Sequence, residues 1–323
     1  MKQLSDSIVT NLQAQMRAPD LSGTRYRAVH QLGRGGMGSV WLAHDEVLNR
    51  RVALKVLDLT APANDLGARL LREARILAGL EHPGIVPVHD AGTLADGRAF
   101  YCMKYVEGQT LARHIVGKSL PEKLRLMERI AEPVGFAHAR GFIHRDLKPE
   151  NVMIGAFGEV LVMDWGLSIA AAAGRKSAED EMSAAVPSTQ DSARVTGQGG
   201  VLGTPGYMSP EQARGSTNEI DHRTDIFSLG AILTFMLTTT SEVPPPLRAI
   251  CEKAMAADPN ARYQSAGEMA NEIARYLGGR PVLAYREGLS ERIGRIYSRH
   301  RTAIVLVASY LLMRVLFISW ARR

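Results

Sequence analysis

The residues with the clearest chemical potential lie in one eight-residue stretch, HRDLKPEN at residues 144–151. In it, Asp146 could accept a proton, Lys148 could hold a phosphate group and Asn151 could hold a metal ion. Thirteen residues after Asn151, Asp164 adds a carboxylate in the sequence MDWG. A base, two cations, an amide and an acid placed so densely have little use in a hydrophobic core, so the stretch predicts a catalytic site.

This stretch resembles the catalytic loop of bacterial serine/threonine protein kinases of the eukaryotic type, where an Asn follows the Asp of His-Arg-Asp by five residues. The resemblance covers residues 26–277. It implies an α+β, bilobal fold with a small β-rich N-lobe and a larger helical C-lobe, and ATP with Mg²⁺ as cofactors. By the same resemblance, Asp146 takes the proton of a protein Ser or Thr hydroxyl and Lys148 stabilises the moving phosphoryl group. Asn151 and Asp164 hold Mg²⁺.

A glycine-rich stretch at residues 33–38 would supply the loop that covers the phosphates. Its G-x-G-x-x-G pattern alone also fits a flexible hairpin or a dinucleotide-binding turn. Residues 26–32 alternate like a strand, and β-branched and aromatic residues follow the glycines, which favours strand, turn and strand. The residues that the resemblance assigns to nucleotide binding here are Leu32, Gly33, Arg34, Gly35, Gly36, Met37, Gly38 and Val40.

Lys55 stands among apolar residues in a third predicted strand, residues 51–57. A lysine on an alternating strand is ordinarily a surface residue, but Val-Ala-Leu-Lys resembles the kinase motif whose lysine binds the α- and β-phosphates. Such a lysine needs a carboxylate partner on the next helix. Glu73 lies beside the apolar stripe of the helical run at residues 69–77, so we expect a Lys55–Glu73 ion pair.

The elements that follow must position the adenine and the catalytic loop. Strands are predicted at residues 85–90 and 99–103, an amphipathic helix at 121–141, and a hairpin at 152–154 and 160–163. This hairpin would bring Asn151 towards Asp164. The further residues that the resemblance assigns to adenine contact are Ala53, Met103, Lys104, Val106 and Met153.

Residues 167–202 are rich in Ala, Ser, Gly and charged residues and show no apolar periodicity. We interpret them as a disordered or conditionally ordered activation segment, with a solvated polar insert as the alternative. The resemblance implies that Arg145 binds a phosphate on this segment. It also implies that Thr204 bonds Asp146 and Lys148, which favours Ser/Thr over Tyr as acceptor. The candidate phosphorylation sites are Ser177, Ser183, Ser188, Thr189, Ser192 and Thr196.

Three residues match buried supports of the family. Glu211 would pair with Arg262, and Asp225 would hold the backbone of the catalytic loop. After the helix at about 225–238, three prolines lead directly into the next helix, so a docking segment of about thirty residues is missing.

Trp165, in place of the usual Phe, is a second departure from the family. The two departures leave a membrane-attached pseudokinase, a nucleotide-binding scaffold without turnover, as the alternative function. A small-molecule phosphotransferase is less favoured, because it would lack the Ser-Pro-Glu segment and the Arg262 match.

The composition limits the remaining classes. A chain of 323 residues with 46% hydrophobic residues is long enough to bury a substantial core. The net charge of +6 is spread out without a basic stripe that carries aromatic residues, which argues against nucleic-acid binding. Cys102 and Cys251 lie in apolar runs and are predicted to be buried thiols.

The two ends of the chain lie outside the predicted kinase domain. Residues 1–25 are read as a leader, 278–302 as a basic linker, and 303–320 as an apolar stretch near the length of about 20 residues that spans a bilayer. We therefore predict a single-pass membrane protein with its kinase domain in the cytoplasm. A cytoplasmic chain whose terminal helix is buried, or a helix lying in the membrane interface, is the alternative. A second copy of the chain, in a homodimer that phosphorylates itself, is a further expected partner.

Overall fold

The structure is a computed structural model that describes the greater part of the chain. In this part of the chain the expected two-lobed α+β architecture is present: an antiparallel sheet with one long helix is followed by a mainly helical region. The described residues are 18–35, 38–57, 63–165, 169–170, 206–215, 219–240, 242–288, 292, 305–314, 317–318 and 320.

Five antiparallel strands form the N-lobe sheet in the order β1-β2-β3-β5-β4. Alternation along the strands gives the sheet two apolar faces. Leu54 and Cys102 lie in an outer cluster, whereas Ala53 and Met103 lie in the main core together with residues of the helix α1. The elements are β1 (Tyr26–Gly35), β2 (Gly38–Asp45), β3 (Arg50–Leu57), α1 (Ala63–Gly79), β4 (Val88–Thr93) and β5 (Ala99–Lys104).

The strand predicted at residues 85–90 is wrong at its beginning. The backbone of this segment pairs first with the C-lobe: Val86 N–H donates to the Val162 carbonyl at 3.3 Å, and Val162 N–H donates to the Gly84 carbonyl at 2.8 Å. The strand β4 begins only at Val88, after Pro87. An apolar run thus serves two sheets in succession, which its composition alone does not reveal.

The C-lobe contains short strands around the catalytic loop and four longer elements behind it. Strands β6, β8 and β9 form one small sheet, and β10 pairs with β7. The elements are β6 (Gly108–Thr110), α2 (Leu111–His114), α3 (Leu120–Ala139), β7 (Phe142–Ile143), β8 (Val152–Gly155), β9 (Val160–Val162), β10 (Ile169–Ala170), α4 (Pro210–Ala213), α5 (Arg223–Leu237), α6 (Pro245–Ala254) and α7 (Ala266–Leu277).

The helix α3 carries the chain to the catalytic loop. Its start is defined by a capping box between Ser119 and Glu122, with a proline in the first turn. It ends before Gly141, whose φ of 80° is accessible to glycine at little cost. The buried face of α3 packs into the main core through Leu124, Met127, Ile130, Val134 and Ala137.

The connection between α5 and α6 is short, as expected from the sequence, in which the docking segment is missing. Residues 238–244 link the two helices, and the described residues of this link contain no helix. The buried Lys123 of α3 donates to the Thr239 hydroxyl at 2.5 Å. The link is therefore tied back to the core of the lobe.

The C-terminal stretch differs from the rest of the chain in its exposure. Residues 305–314 are helical, and the structure describes no helix long and apolar enough to cross a membrane. The large apolar side chains that are exposed in this stretch are Val305, Leu306, Val307, Tyr310, Leu311, Leu312, Met313, Phe317, Ile318 and Trp320. Within the core, Cys102 and Cys251 are buried free thiols, as predicted.

The expected Glu211–Arg262 pair is present and almost fully buried. Two guanidinium nitrogens of Arg262 donate to the two carboxylate oxygens at 2.7 Å each, and the Thr224 hydroxyl donates to Oε1 at 2.9 Å. Burial alone would raise the pKa of Glu211, but the hydrogen bonds from Arg262 lower it to about 2. The pair joins α4 to the turn before α7.

We expect Arg262→Met to lower the free energy of unfolding by about 3–5 kcal/mol at pH 7, because it leaves a carboxylate buried without its cation. The pKa of Glu211 is lower in the folded chain than its ordinary 4.5. Its stabilising contribution is therefore complete above pH 4.5 and is lost as the pH falls towards about 2. Urea unfolding at several pH values should show the wild type losing its advantage over Arg262→Met across this interval.

Arg214→Met is the matched control, because the Arg214–Glu219 pair is 3.4 Å long and both side chains are 59% exposed. It should change the free energy of unfolding by less than about 1 kcal/mol. Equal losses in the two variants, or a difference independent of pH, would contradict the prediction.

Candidate active site

The catalytic loop is held in place by one buried carboxylate. Asp225, in the first turn of α5, accepts hydrogen bonds from the backbone N–H groups of His144 and Arg145, both at 2.8 Å. His138 of α3 bonds the same carboxylate through Nε2 at 2.7 Å. Burial opposes the charge, yet the hydrogen bond from His138 and the other donors hold the pKa of Asp225 below its ordinary value. Arg145 adopts a φ of 70°, a conformation that these bonds stabilise.

Two predicted catalytic residues, Asp146 and Lys148, and the predicted metal ligand Asn151 meet directly after this support. Lys148 Nζ lies 2.8 Å from Asp146 Oδ2. The Asn151 amide nitrogen donates to the Asp146 carbonyl at 2.8 Å and to its Oδ2 at 3.3 Å. A short 3-10 turn over Pro149–Asn151 fixes this arrangement. The Asp146 carboxylate is thus oriented by a cation and an amide that both contact its Oδ2 atom.

Lys55 connects the two lobes. Its Nζ lies 2.8 and 3.0 Å from the two carboxylate oxygens of Glu73 and 2.8 Å from Asp164 Oδ1. Burial alone would lower the pKa of Lys55, but the Glu73 and Asp164 carboxylates raise it, so the ammonium stays charged. Burial raises the pKa of Glu73 against the opposing effect of Lys55. The expected Lys55–Glu73 contact is therefore present, and Asp164 joins it.

Trp165 fits the position where a smaller aromatic is usual. Its side chain is fully buried and packs against His144, with ring centroids 4.6 Å apart. His144 Nε2 in turn bonds the Met163 carbonyl at 2.9 Å. Asp164, between Met163 and Trp165 in the sequence, has a φ of 61°, an uncommon value for a residue with a side chain. The indole therefore packs in the core while Asp164 remains at Lys55.

The predicted nucleotide-binding residues differ in their exposure to solvent. Ala53 and Met103 are buried and pair across β3 and β5. Val106 is also buried, whereas Val40, Lys104 and Met153 are partly exposed, and Leu32, Gly33, Arg34 and Gly35 are exposed. Gly36, Met37 and Thr204 lie outside the described residues.

Two kinds of glycine are present in the glycine-rich stretch. A Cβ at Gly38 would collide with the backbone of Val56, so packing against β3 requires glycine there. A Cβ at Gly33 or Gly35 would meet nothing within 4 Å. These two positions leave the backbone open to a ligand on that side.

The donor set at Asn151 and Asp164 fits Mg²⁺ bound together with phosphate. Met163 N–H donates to the Asn151 carbonyl at 2.9 Å, which places the two residues on adjoining backbone segments. The Asp164 side chain is 46% exposed, and the amide nitrogen of Asn151 is directed at Asp146. Among the described residues, no three His, Cys, Asp or Glu side chains form a metal cluster. Mg²⁺ typically takes one or two protein oxygens, with phosphate and water completing its shell.

The side chain of Arg145 is partly buried. Its Nε is buried and has no hydrogen-bond partner in the described part of the chain. Burial lowers the pKa of this guanidinium without removing its charge. Its backbone carbonyl accepts a hydrogen bond from Gln212 of α4 at 2.7 Å, so it lies next to the region that follows residues 171–205.

Two residues of the site were not singled out by sequence reasoning. His138 bonds Asp225, and the Tyr101 hydroxyl donates to Glu73 Oε1 at 2.8 Å. The alternation of β5 could have indicated that Tyr101 shares a face with Met103. Its position directly opposite Lys55 depends on the strand register, which the sequence does not reveal.

Comparison with known proteins agrees with this geometry. The sequence profile of the protein kinase domain matches residues 26–260. The chain is 37% identical to the serine/threonine-protein kinase PknD of Chlamydia trachomatis over 80% of its length, and 36% identical to PknD of Chlamydia muridarum over 83%. It spans about a third of the length of these relatives, 32% and 33%.

A solved structure shares the fold. The crystal structure of the Mycobacterium tuberculosis PknI kinase domain superposes with a TM-score of 0.56 at 26% sequence identity. The match covers 80% of this chain and 98% of the PknI domain.

We expect Lys55→Met to weaken the binding of Mg²⁺–ATP by at least about 10-fold, because the phosphates lose their cation while Glu73 and Asp164 lose the charge between them. Isothermal titration calorimetry measures the affinity. Arg51→Met, on the same strand, is the control, since Arg51 pairs with Glu107 at the surface with half of its side chain exposed. If Lys55→Met binds like Arg51→Met, Lys55 does not hold the phosphates.

Proposed function

The chain belongs to the protein kinase domain family, and we propose that it is a serine/threonine protein kinase that transfers the γ-phosphoryl group of ATP to a protein hydroxyl. One observation carries the proposal: Lys55 bonds Glu73 and Asp164 at once, in the same chain in which Lys148 and Asn151 orient Asp146. The first group suits the nucleotide phosphates, and the second suits the acceptor.

The chemistry is an in-line displacement. The acceptor hydroxyl, bonded to Asp146, forms a new bond to the γ-phosphorus, while the bond from that phosphorus to the β-phosphate oxygen breaks and ADP leaves. Asp146 takes the hydroxyl proton, Lys148 offsets the negative charge of the moving group, and Lys55 holds the α- and β-phosphates. Asn151 and Asp164 would hold Mg²⁺, which would supply further neutralisation of the phosphate charge. Most of the acceleration then comes from positioning and fixed charge.

A pseudokinase is the weaker alternative. The losses that usually mark one fall at the positions of Lys55, Asp146 and Asp164, and all three residues are present. Trp165, the other reason for doubt, packs in the core without moving Asp164 away from Lys55. The geometry therefore favours turnover.

We also propose that phosphorylation of the activation segment regulates the site. The support is Arg145 of the catalytic loop, whose buried Nε has no hydrogen-bond partner among the described residues. A phosphate on residues 171–205 would supply acceptors of the kind that a guanidinium binds in bidentate fashion. The candidate Ser and Thr residues of that segment lie outside the described part of the chain.

The C-terminal stretch leads us to propose attachment to a membrane with the kinase domain in the cytoplasm. Apolar side chains are exposed on all sides of residues 305–314, and burial in lipid would remove this surface from water. Five arginines between residues 286 and 301 precede the stretch, as the positive-inside rule favours for a cytoplasmic flank. A membrane would also concentrate copies of the chain, which suits phosphorylation between two protomers.

Asp146→Asn should reduce phosphoryl transfer by at least about 1,000-fold, because an amide cannot take the acceptor proton. The full chain is incubated in detergent with labelled ATP, Mg²⁺ and a generic basic protein, and labelled residues are identified as phosphoserine, phosphothreonine or phosphotyrosine. Asp20→Asn, an exposed residue before β1, is the control and should behave like the wild type. Absence of label with the wild type would refute the kinase proposal, and phosphotyrosine alone would refute the acceptor class.

The full chain should remain in the membrane pellet after a high-salt wash, whereas a chain ending at Gly288 should be released. This end point keeps the hydrogen bond from Ala284 N–H to Glu272, so the segment packed behind α7 is retained. Release of the full chain by salt alone would indicate electrostatic adsorption, and its presence in the soluble fraction would contradict attachment.

A further inference from the structure

Tyr101 occupies the centre of β5 and reaches the ion pair of the N-lobe from behind. Its side chain is 1% exposed, and its hydroxyl donates to Glu73 Oε1 at 2.8 Å. The same oxygen accepts from Lys55 Nζ at 2.8 Å. Lys55 and Tyr101 are direct partners across β3 and β5, and Nζ lies 5.6 Å from the tyrosine ring centroid. Three elements thus converge on one carboxylate.

The hydroxyl acts as a donor. Burial and the adjacent Glu73 carboxylate raise the pKa of Tyr101 well above its ordinary value, so the group remains protonated. A buried hydroxyl beside a carboxylate forms a charge-assisted hydrogen bond, which is stronger than a bond between neutral groups. Phenylalanine would fill the same space without this bond. The hydroxyl therefore has a use beyond core packing.

The hydrogen bonds that Lys55 and Tyr101 donate to Glu73 differ in what they depend on. Lys55 also bonds Asp164 and, in the proposed reaction, must bind phosphates, so its bonds are divided among several acceptors. Tyr101 donates from β5, a strand that is paired on both sides, with β3 and with β4. Its bond to Glu73 requires neither Lys55 nor nucleotide. It fixes the carboxylate, and with it α1, to the sheet.

We propose that Tyr101 is a positioning residue that holds Glu73 inward, so that Lys55 stays aimed at the nucleotide phosphates throughout the reaction. The proposal rests on the kinase function proposed above. In this arrangement Glu73 restrains Lys55, and Tyr101 restrains Glu73. The active position of α1 is then held by a hydrogen bond from the sheet in addition to the ion pair.

Tyr101→Phe tests the proposal, with Tyr26→Phe as the matched control. Tyr26 is 4% exposed in the same sheet, and its hydroxyl donates to Asp90 at 2.9 Å on the opposite face, away from the site. In the full chain, we expect Tyr101→Phe to lower kcat/KM for ATP by about 5- to 30-fold and to leave KM for the protein substrate unchanged. Tyr26→Phe should remain within about 2-fold of the wild type in both constants.

A second comparison separates positioning from packing. If Tyr101 acts through Glu73, then adding Tyr101→Phe to Glu73→Ala should cause no further loss of kcat/KM for ATP. Full additivity of the two losses, or a Tyr101→Phe enzyme equal to Tyr26→Phe, overturns the proposal.

Nucleotide affinity keeps this test separate from the test of the kinase activity. Should the wild type bind Mg²⁺–ATP without transferring phosphate, the kinase proposal fails, and calorimetry then decides the role of Tyr101. A weakening of Mg²⁺–ATP binding by about 5- to 30-fold in Tyr101→Phe would support the positioning of Lys55 by Tyr101. An unchanged affinity would exclude it.

Discussion

The arrangement of the C-lobe depends on one buried charge, the carboxylate of Asp225. A carboxylate removed from water is costly unless donors surround it, and here two backbone N–H groups and His138 do so. Its place in the first turn of α5 adds the favourable end of the helix dipole. Because the two backbone donors belong to residues 144 and 145, satisfying this charge also fixes the path of the chain into Asp146. The catalytic loop is thus shaped by the requirements of a residue far along the sequence.

The second constraint lies between the lobes, where one ammonium has three carboxylate oxygens around it. Lys55 belongs to the sheet, Glu73 to the helix behind it and Asp164 to the C-lobe. The ammonium of Lys55 therefore links the sheet, the helix and the C-lobe. Such a charge is stable only while the carboxylates stay close, and they repel one another without it. The N-lobe position is therefore coupled electrostatically to that of Asp164, although the sequence separates Lys55 from it by 109 residues.

The resemblance of the motifs to those of protein kinases was sufficient to predict Lys55, Glu73, Asp146 and Asp164 as residues of the site. Local pattern was less sufficient where tertiary pairing decides. The sequence misplaced the beginning of β4 because residues 84–86 bond the C-lobe. The position of Tyr101 opposite Lys55 could not be predicted without the register of β3 and β5. Apolar periodicity indicates which face of a strand is buried, but not which residue of another strand lies opposite.

The packing of Trp165 gives the site an optical probe of its own. The chain has three tryptophans, of which Trp41 lies in the outer cluster of the N-lobe and Trp320 is exposed near the C-terminus. Trp165 alone adjoins Asp164 and contacts the imidazole of His144. Any outward turn of Asp164 would move the indole from a dry environment towards water and change its emission. Trp165 thus makes the conformation of the aspartate visible without an added label.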